Sequence, residues 1–142
     1  MDVRPWVKNV CREEAERWAM PGGAVCVSVT DPGSVPARLP RFDGVLRLSF
    51  SDWDPARGAP ERVLGHSGPI VEFASDHAKR LAAFLAESRG KNMVVHCEAG
   101  VSRSAAIVEA VVASFPEYED AGGVRFTNPY VRAHAVRALE AP

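Results

Sequence analysis

The sequence predicts an α/β fold in which helices flank a mainly parallel central sheet. Short apolar runs of strand length alternate with longer amphipathic segments along the chain. The clearest example is a buried strand over residues 92–95, followed by a loop and by an apolar helix over residues 104–115. The loops that follow the strands of such a sheet lie at one edge, and we expect the functional residues there.

Length and composition indicate a single domain spanning residues 1–142, long enough to form a core without disulfide bonds. A hydrophobic content of 46% and a charged content of 25% are typical of a soluble globular protein. The formal net charge of −1 offers no general attraction to nucleic acid or to an anionic membrane, so we expect neither partner. Three widely spaced cysteines, and an N-terminus without the apolar core of a secretory signal, favour a cytoplasmic location.

An amphipathic helix is predicted near the N-terminus. Apolar residues recur there at helical intervals among charged neighbours, and Pro-Gly-Gly at 21–23 ends the pattern. We expect this helix to cover one face of the sheet. The apolar residues are Val7, Val10, Cys11 and Trp18.

Two strands and two loops are predicted next. Residues 24–29 alternate as a strand does, and Asp-Pro-Gly at 31–33 breaks the pattern. Residues 34–42 form a loop, and residues 45–50 alternate again. Residues 51–69 are rich in Gly, Pro and Asp without a clear period, which predicts a long loop of the kind that often carries function.

Two helices are predicted in the second half besides the one over residues 104–115. The first runs over residues 75–88, with Ser75 as its N-cap. Residues 117–126 are interpreted as a surface loop or a loosely ordered turn. Asn128 and Pro129 are typical of the N-cap and first residue of a last helix.

The most informative segment is the loop that joins the 92–95 strand to the helix. Residues 96–104 read His-Cys-Glu-Ala-Gly-Val-Ser-Arg-Ser and place a cysteine and an arginine six positions apart. At such a turn several backbone N–H groups can point at one anion, and the helix N-terminus adds a partial positive charge. Gly100 relaxes the geometry in the middle of the loop. The segment therefore predicts a phosphate-binding loop.

The residue types of this loop suit nucleophilic catalysis. The inward N–H groups, the helix dipole and the charge of Arg103 favour the thiolate form of Cys97, which is a nucleophile at neutral pH. The planar guanidinium of Arg103 can hold two phosphate oxygens and stabilise the transition-state charge. A hydrogen bond from Ser104 would make the sulfur a better leaving group, and we expect His96 to orient the loop.

The pattern His-Cys-x-x-Gly-x-x-Arg-Ser resembles the active-site motif of the protein tyrosine phosphatase superfamily, and the compact length resembles its dual-specificity branch. The resemblance implies a phosphatase-like fold, a cysteinyl-phosphate intermediate, and neither metal nor other cofactor. It implies that the loop residues hold the phosphate group of the substrate. These residues are Glu98, Ala99, Gly100, Val101, Ser102 and Arg103.

The resemblance also implies an upstream aspartate that protonates the leaving group and then activates water. Asp52 and Asp54 both follow the 45–50 strand. We favour Asp52 because it comes soonest after the strand, whereas Asp54 precedes a proline and can shape a turn. Asp76 lies at a predicted helix start, where an acid commonly complements the dipole.

The expected activity is hydrolysis of phosphotyrosine in proteins or peptides, with phosphoserine and phosphothreonine as further candidates. A phenol with a pKa of about 10 is an easier leaving group than an alkoxide. The loop contains no lysine, although phosphoinositide phosphatases of the superfamily tend to carry basic residues there. The alternatives are a phosphatase for a nucleotide, an RNA 5′-end or a lipid, and a catalytically weak module that only binds phosphate.

The remaining cysteines and histidines carry weaker predictions. Cys11 and Cys26 are expected in the core, and the alternative is that one of them captures oxidised Cys97 as a disulfide. The other histidines have no metal-ligand spacing, so we expect no metal site. They are His66, His77 and His134.

Overall fold

The computed structural model describes residues 4–57 and 70–140. In sequence order, its strands and helices alternate for most of this length. The strands are β1 (Trp6–Cys11), β2 (Ala24–Thr30), β3 (Gly44–Ser49), β4 (Asn92–Cys97) and β5 (Glu119–Asp120). The helices are α1 (Arg12–Glu16), α2 (Ser75–Glu87), α3 (Arg103–Ser114) and α4 (Pro129–Glu140), and Pro55–Arg57 forms one 3-10 turn.

The strands form one sheet in the order β3-β2-β4-β1-β5, and every neighbouring pair is parallel. This arrangement confirms the predicted α/β class with a parallel central sheet. The strand β4 is central, and its last residue, Cys97, therefore lies in the middle of the carboxyl edge of the sheet.

Both faces of the sheet are covered, as parallel sheets require. The helices α2, α3 and α4 pack on one face, against the valines of β2 and against Met93 and Val95 of β4. The helix α1 and residues of the 34–42 loop pack on the other face. No helix among the described residues is long and apolar enough to cross a membrane.

The prediction of an N-terminal amphipathic helix is wrong for most of the segment. Residues 6–11 form β1, which pairs with β4 and β5, and the helix is limited to the five residues of α1. Val7 packs in the core under α3 and α4, whereas Val10 packs in the core under α1. Because a strand buried on both faces carries apolar residues on both, the spacing of Val7 and Val10 imitates a helical pattern.

The segment interpreted as a surface loop over residues 117–126 contains the short strand β5. The backbone N–H groups of Glu119 and Ala121 donate to the carbonyls of Pro5 and Val7 at 2.8 and 2.9 Å. A two-residue strand of acidic residues has no apolar alternation, so the sequence pattern could not reveal it.

Within the described residues, the other predicted strands and helices are confirmed, with one change at a helix start. Ser75 is the first residue of α2, and Ala74 occupies the N-cap, where its N–H donates to Nδ1 of His77 at 3.0 Å. Asn128 caps α4 as predicted, because its Oδ1 accepts from the N–H groups of Tyr130 and Val131 at 3.0 and 3.1 Å. Most of the predicted long loop, residues 58–69, lies outside the described residues, as does His66.

Candidate active site

The loop over residues 98–102 joins the end of β4 to the start of α3, as the sequence predicts. Cys97 is 2% exposed, and its Sγ accepts the N–H of Gly100 at 3.3 Å. The same Sγ lies 3.2 Å from Oγ of Ser104 in the first turn of α3. The sulfur is therefore directed into the curve of the loop, where two donors can stabilise a negative charge.

The backbone of the loop leaves donors available for an anion. Among the described residues, none accepts a hydrogen bond from the N–H groups of Glu98, Ala99, Val101 and Ser102. Gly100 has a φ of +77°, a conformation that lets the chain fold around the sulfur. An oxyanion placed over Cys97 would be the natural acceptor for such N–H groups.

The guanidinium of Arg103 is buried and oriented by two groups from other strands. Its Nη1 lies 2.8 Å from the carbonyl oxygen of Phe50 and 2.8 Å from Oδ1 of Asp31. These partners directly follow β3 and β2, so the ends of three adjacent strands meet at this arginine. Its Nε is buried and has no partner among the described residues, which leaves a donor for a phosphate oxygen.

The structure brings Asp52 into contact with the loop, whereas the hydrogen bond of Asp54 lies within its own turn. Oδ1 of Asp52 accepts from Oγ of Ser102 at 2.8 Å and from Nδ2 of Asn128 at 2.8 Å. Its Oδ2 has no hydrogen-bond partner among the described residues, so that oxygen is available to a bound substrate. Asp54 is 7% exposed, and its Oδ1 accepts the N–H of Ala56 at 3.1 Å in a turn around Pro55. Asp76, the third acid considered, is exposed in the first turn of α2.

His96 is fully buried behind the cysteine. Its Nε2 lies 2.6 Å from Oγ of Ser28, and its Nδ1 lies 3.2 Å from the carbonyl oxygen of Cys97. Burial lowers the pKa of His96 below its ordinary value of 6.5. A neutral ring in these contacts ties β4 to β2 and supports the loop.

The first loop residue, Glu98, is held by an arginine of α1. Its Oε1 lies 3.2 Å from Nη1 of Arg12, and its carbonyl accepts the N–H of Arg12 at 3.2 Å. Ala99 is exposed. The carbonyl of Val101 accepts the N–H of Phe126 at 2.7 Å, which anchors the far side of the loop.

The strand β1 supports the loop from below. Nδ2 of Asn9 donates to the carbonyl of Gly100 at 2.7 Å. A Cβ on residue 100 would lie 2.3 Å from the backbone N of Cys11 and 2.3 Å from the carbonyl carbon of Val10. The loop therefore passes so close to β1 that glycine is required at this position.

Sequence reasoning missed three residues that shape the site: Asn9, Asp31 and Asn128. Asp31 was interpreted as part of a strand break, and Asn128 as a helix cap. For Asp31 and Asn128, a position directly after a strand or before a helix was the available signal, but that signal does not identify the residue each one contacts. Asn9 lies within β1, which the sequence pattern did not reveal.

The other two cysteines differ in their surroundings. Cys26 is buried, and burial raises its pKa to about 12, so its thiol is unreactive at neutral pH. Cys11 is half-buried; it is the register partner of Cys97 in β4, and its Sγ accepts the N–H of Glu14 at 3.5 Å. No disulfide joins the three cysteines, and no group of three or more potential ligands for a metal occurs among the described residues.

Comparison with known proteins found no matching family model, no similar curated protein and no similar solved structure. The chemistry of the residues around Cys97 therefore has to support any functional proposal by itself.

Proposed function

We propose that this chain is a cysteine-dependent phosphatase with a phosphatase-like fold, which hydrolyses phosphotyrosine in cytoplasmic proteins through a cysteinyl-phosphate intermediate. One observation carries the proposal. Cys97 and the buried Arg103 flank the same loop: Nε of Arg103 has no partner among the described residues, and the sulfur of Cys97 is held by the N–H of Gly100 and the hydroxyl of Ser104. A buried cation that keeps a free N–H at the opposite end of the loop from a nucleophile suits a phosphoryl group.

In the first step, the thiolate of Cys97 attacks phosphorus and the ester P–O bond breaks. The guanidinium of Arg103 and the loop N–H groups hold the three equatorial oxygens as the P–S bond forms. Oδ2 of Asp52 gives its proton to the leaving oxygen, while Oδ1 keeps its bonds to Ser102 and Asn128. The products of this step are the phenol and the phosphocysteine.

In the second step, water attacks the phosphocysteine and the P–S bond breaks. The carboxylate of Asp52 accepts the proton of the attacking water and returns to its protonated state. The electron pair of the P–S bond stays on the sulfur. The hydroxyl of Ser104, which already lies 3.2 Å from this sulfur, donates a hydrogen bond to the departing thiolate. Inorganic phosphate leaves, and the site is restored.

Substrate preference is supported by the charges around the loop. The loop contributes no basic residue besides Arg103, and the carboxylate of Glu98 is compensated by Arg12. Trp53, next to Asp52, packs edge-on against Tyr130 with ring centroids 5.4 Å apart, so an aromatic pair borders the proposed acid. A single phosphate on an aromatic ring suits these surroundings. Phosphoserine and phosphothreonine remain further candidates.

The test is hydrolysis of p-nitrophenyl phosphate in the presence of a metal chelator by the wild type and by Cys97→Ser. Cys26→Ser is the matched control, because it also replaces a buried thiol with a hydroxyl. The proposal requires turnover in chelator that Cys97→Ser abolishes and Cys26→Ser retains.

Other outcomes identify the alternatives. Turnover of a nucleotide, an RNA 5′-end or a lipid phosphate, without turnover of phosphotyrosyl peptides, would assign a non-protein substrate. Binding of phosphopeptides without turnover of any phosphoester would assign a phosphate-binding module.

A further inference from the structure

A second cationic hollow lies beside the proposed active site. It has a volume of about 310 Å³ and is formed by the ends of β2 and β3, the loop after β2, and α2. None of its lining residues is acidic. Besides His77, the polar ones are Ser28, Thr30, Ser34, Ser49, Arg47 and Arg80.

The two arginines are oriented by backbone groups rather than by acids. Nη1 of Arg47 donates to the carbonyl of Ala37 at 3.0 Å, and Nη2 of Arg80 donates to the carbonyl of Arg47 at 3.0 Å. Neither arginine forms an ion pair within the described part of the chain. Each guanidinium has five N–H donors and gives one of these bonds, so both retain donors and an uncompensated charge.

The third nitrogen-containing side chain that lines the hollow is His77, and both of its ring nitrogens contact backbone groups. His77 accepts the N–H of Ala74 at its Nδ1, and its Nε2 lies 3.1 Å from the carbonyl of Ser49. This pattern corresponds to the neutral tautomer, with Nε2–H as the donor. The charge available to a ligand therefore comes from Arg47 and Arg80.

The hollow adjoins the groups that orient Arg103. Thr30 directly precedes Asp31, and Ser49 directly precedes Phe50, the two partners of Nη1. The strand β3 is two positions from β4 in the sheet. Two inter-strand spacings amount to about 10 Å, which about three residues of extended peptide would span.

We propose that Arg47 and Arg80 form a second phosphate site, which takes the second phosphoryl group of a doubly phosphorylated peptide while Cys97 attacks the first. The proposal deepens the proposed function and rests on it for the identity of the substrate. Free inorganic phosphate shares this chemistry and is the other possible source of the ligand. Two guanidiniums with free donors, together with the hydroxyls of Thr30 and Ser49, suit a dianion; the hydroxyl of Ser28 is hydrogen-bonded to His96 and that of Ser34 to Arg12.

The kinetic test compares a phosphotyrosyl peptide that carries phosphoserine three residues away with the same peptide carrying serine. We expect the wild type to prefer the doubly phosphorylated peptide in kcat/KM by about tenfold. Arg47→Gln combined with Arg80→Gln should lose this preference, whereas Arg47→Lys combined with Arg80→Lys should keep part of it. Hydrolysis of p-nitrophenyl phosphate should stay unchanged in both pairs, which also shows that they fold.

Arg17→Gln combined with Arg137→Gln removes two positive charges elsewhere and should keep the preference. A second arm titrates the uniformly ¹⁵N-labelled wild type with inorganic phosphate and follows the amide signals of Ser34 and Ser49. One outcome is that phosphate shifts these signals, that the Arg47→Gln, Arg80→Gln pair abolishes the shifts, and that the wild type shows no preference for the doubly phosphorylated peptide. This outcome would identify free phosphate as the ligand.

Absence of both the peptide preference and these shifts would overturn the second site. Failure of the wild type to hydrolyse any phosphoester would overturn the proposed function alone, because the titration does not depend on turnover.

Discussion

Oδ1 of Asp31 lies 2.8 Å from Nη1 of Arg103, although 72 positions separate the two residues in the sequence (103 − 31). The aspartate is half exposed, whereas the arginine is 4% exposed. An acid at the end of β2 thus orients a buried cation at the start of α3. In the proposed mechanism, Asp31 acts through Arg103 as a positioning residue.

Removing this carboxylate should impair phosphate binding. Asp31→Ala leaves the carbonyl of Phe50 as the remaining partner of Arg103 among the described residues, so we expect kcat/KM for p-nitrophenyl phosphate to fall about tenfold or more. Inhibition by vanadate should weaken in parallel, and Asp31→Asn, which can still accept a hydrogen bond, should lose less. The control is Asp43→Ala, which removes an acid paired with the exposed Lys91. Equal effects of Asp31→Ala and Asp43→Ala would contradict the positioning role.

The loss of kcat on substitution of the proposed acid should depend on the leaving group. Asp52→Asn should lower kcat about 100-fold for phosphotyrosyl peptides and much less for aryl phosphates with acidic phenols, because only the former need a proton. Asp54→Asn should show no such dependence, since its carboxylate caps a turn. The plot of log kcat against leaving-group pKa measures the difference. A steeper plot for Asp54→Asn than for Asp52→Asn would assign the acid to Asp54.

The hydroxyl of Ser104 should matter for the second step. Ser104→Ala removes the donor 3.2 Å from the sulfur, so the phosphocysteine should accumulate and the thiolate should leave more slowly. Stopped-flow kinetics should then show a burst of phenol close to one equivalent per site. Ser114→Ala, at the other end of α3, serves as the control. A steady rate equal to that of the wild type, without a burst, would exclude this role.

Alanine at residue 100 should destabilise the protein strongly. The new Cβ would meet the backbone of β1 at 2.3 Å in a positive-φ conformation, which costs about 3 kcal/mol or more in the free energy of unfolding. Gly90→Ala is the matched control, because Gly90 has a φ of +98° and no atom within 4 Å of an added Cβ. That control should lose only about 1 kcal/mol. Urea denaturation measures both values, and similar losses would contradict the close approach of the loop to β1.

Burial of His96 predicts a pH dependence of stability. Its pKa is lowered in the folded state, so below its ordinary pKa of 6.5 the unfolded chain binds more protons. This contribution to the free energy of unfolding is fully present above pH 6.5 and decreases as pH falls toward the folded pKa, by up to about 1.4 kcal/mol per pH unit for one proton. His96→Gln should reduce the slope between pH 6.5 and pH 5, and the partly exposed His134→Gln should not. If His96→Gln leaves the slope of the free energy of unfolding against pH unchanged, groups other than His96 cause this pH dependence.

The sequence was most informative where the relevant residues are contiguous. Residues 96–104 carry the cysteine, the glycine, the arginine and the serine within one strand–loop–helix unit, and each local preference agrees with that unit. The sequence could also nominate Asp52, because an acid directly after a strand lies near the carboxyl edge. It could not establish that Oδ1 of Asp52 meets Ser102, since that contact depends on how two loops approach each other.

Pattern reasoning failed at β1 for a physical reason. A strand between two others, covered on both faces, loses the alternation that identifies strands, and the spacing of Val7 and Val10 imitates a helix. The mistake affected the site, because β1 carries Asn9 and provides the backbone against which Gly100 packs.

By itself the sequence determined the α/β class and the strand–loop–helix unit that carries Cys97 and Arg103, from which phosphate binding is proposed. Only the tertiary structure decided the strand order, and with it the meeting of Asp31, Phe50 and Arg103 at one edge. Local propensities are set by neighbours in the chain, whereas hydrogen bonds and ion pairs between distant residues depend on which parallel strands lie side by side. That choice is made by burial of both faces of the whole sheet, which no single segment encodes.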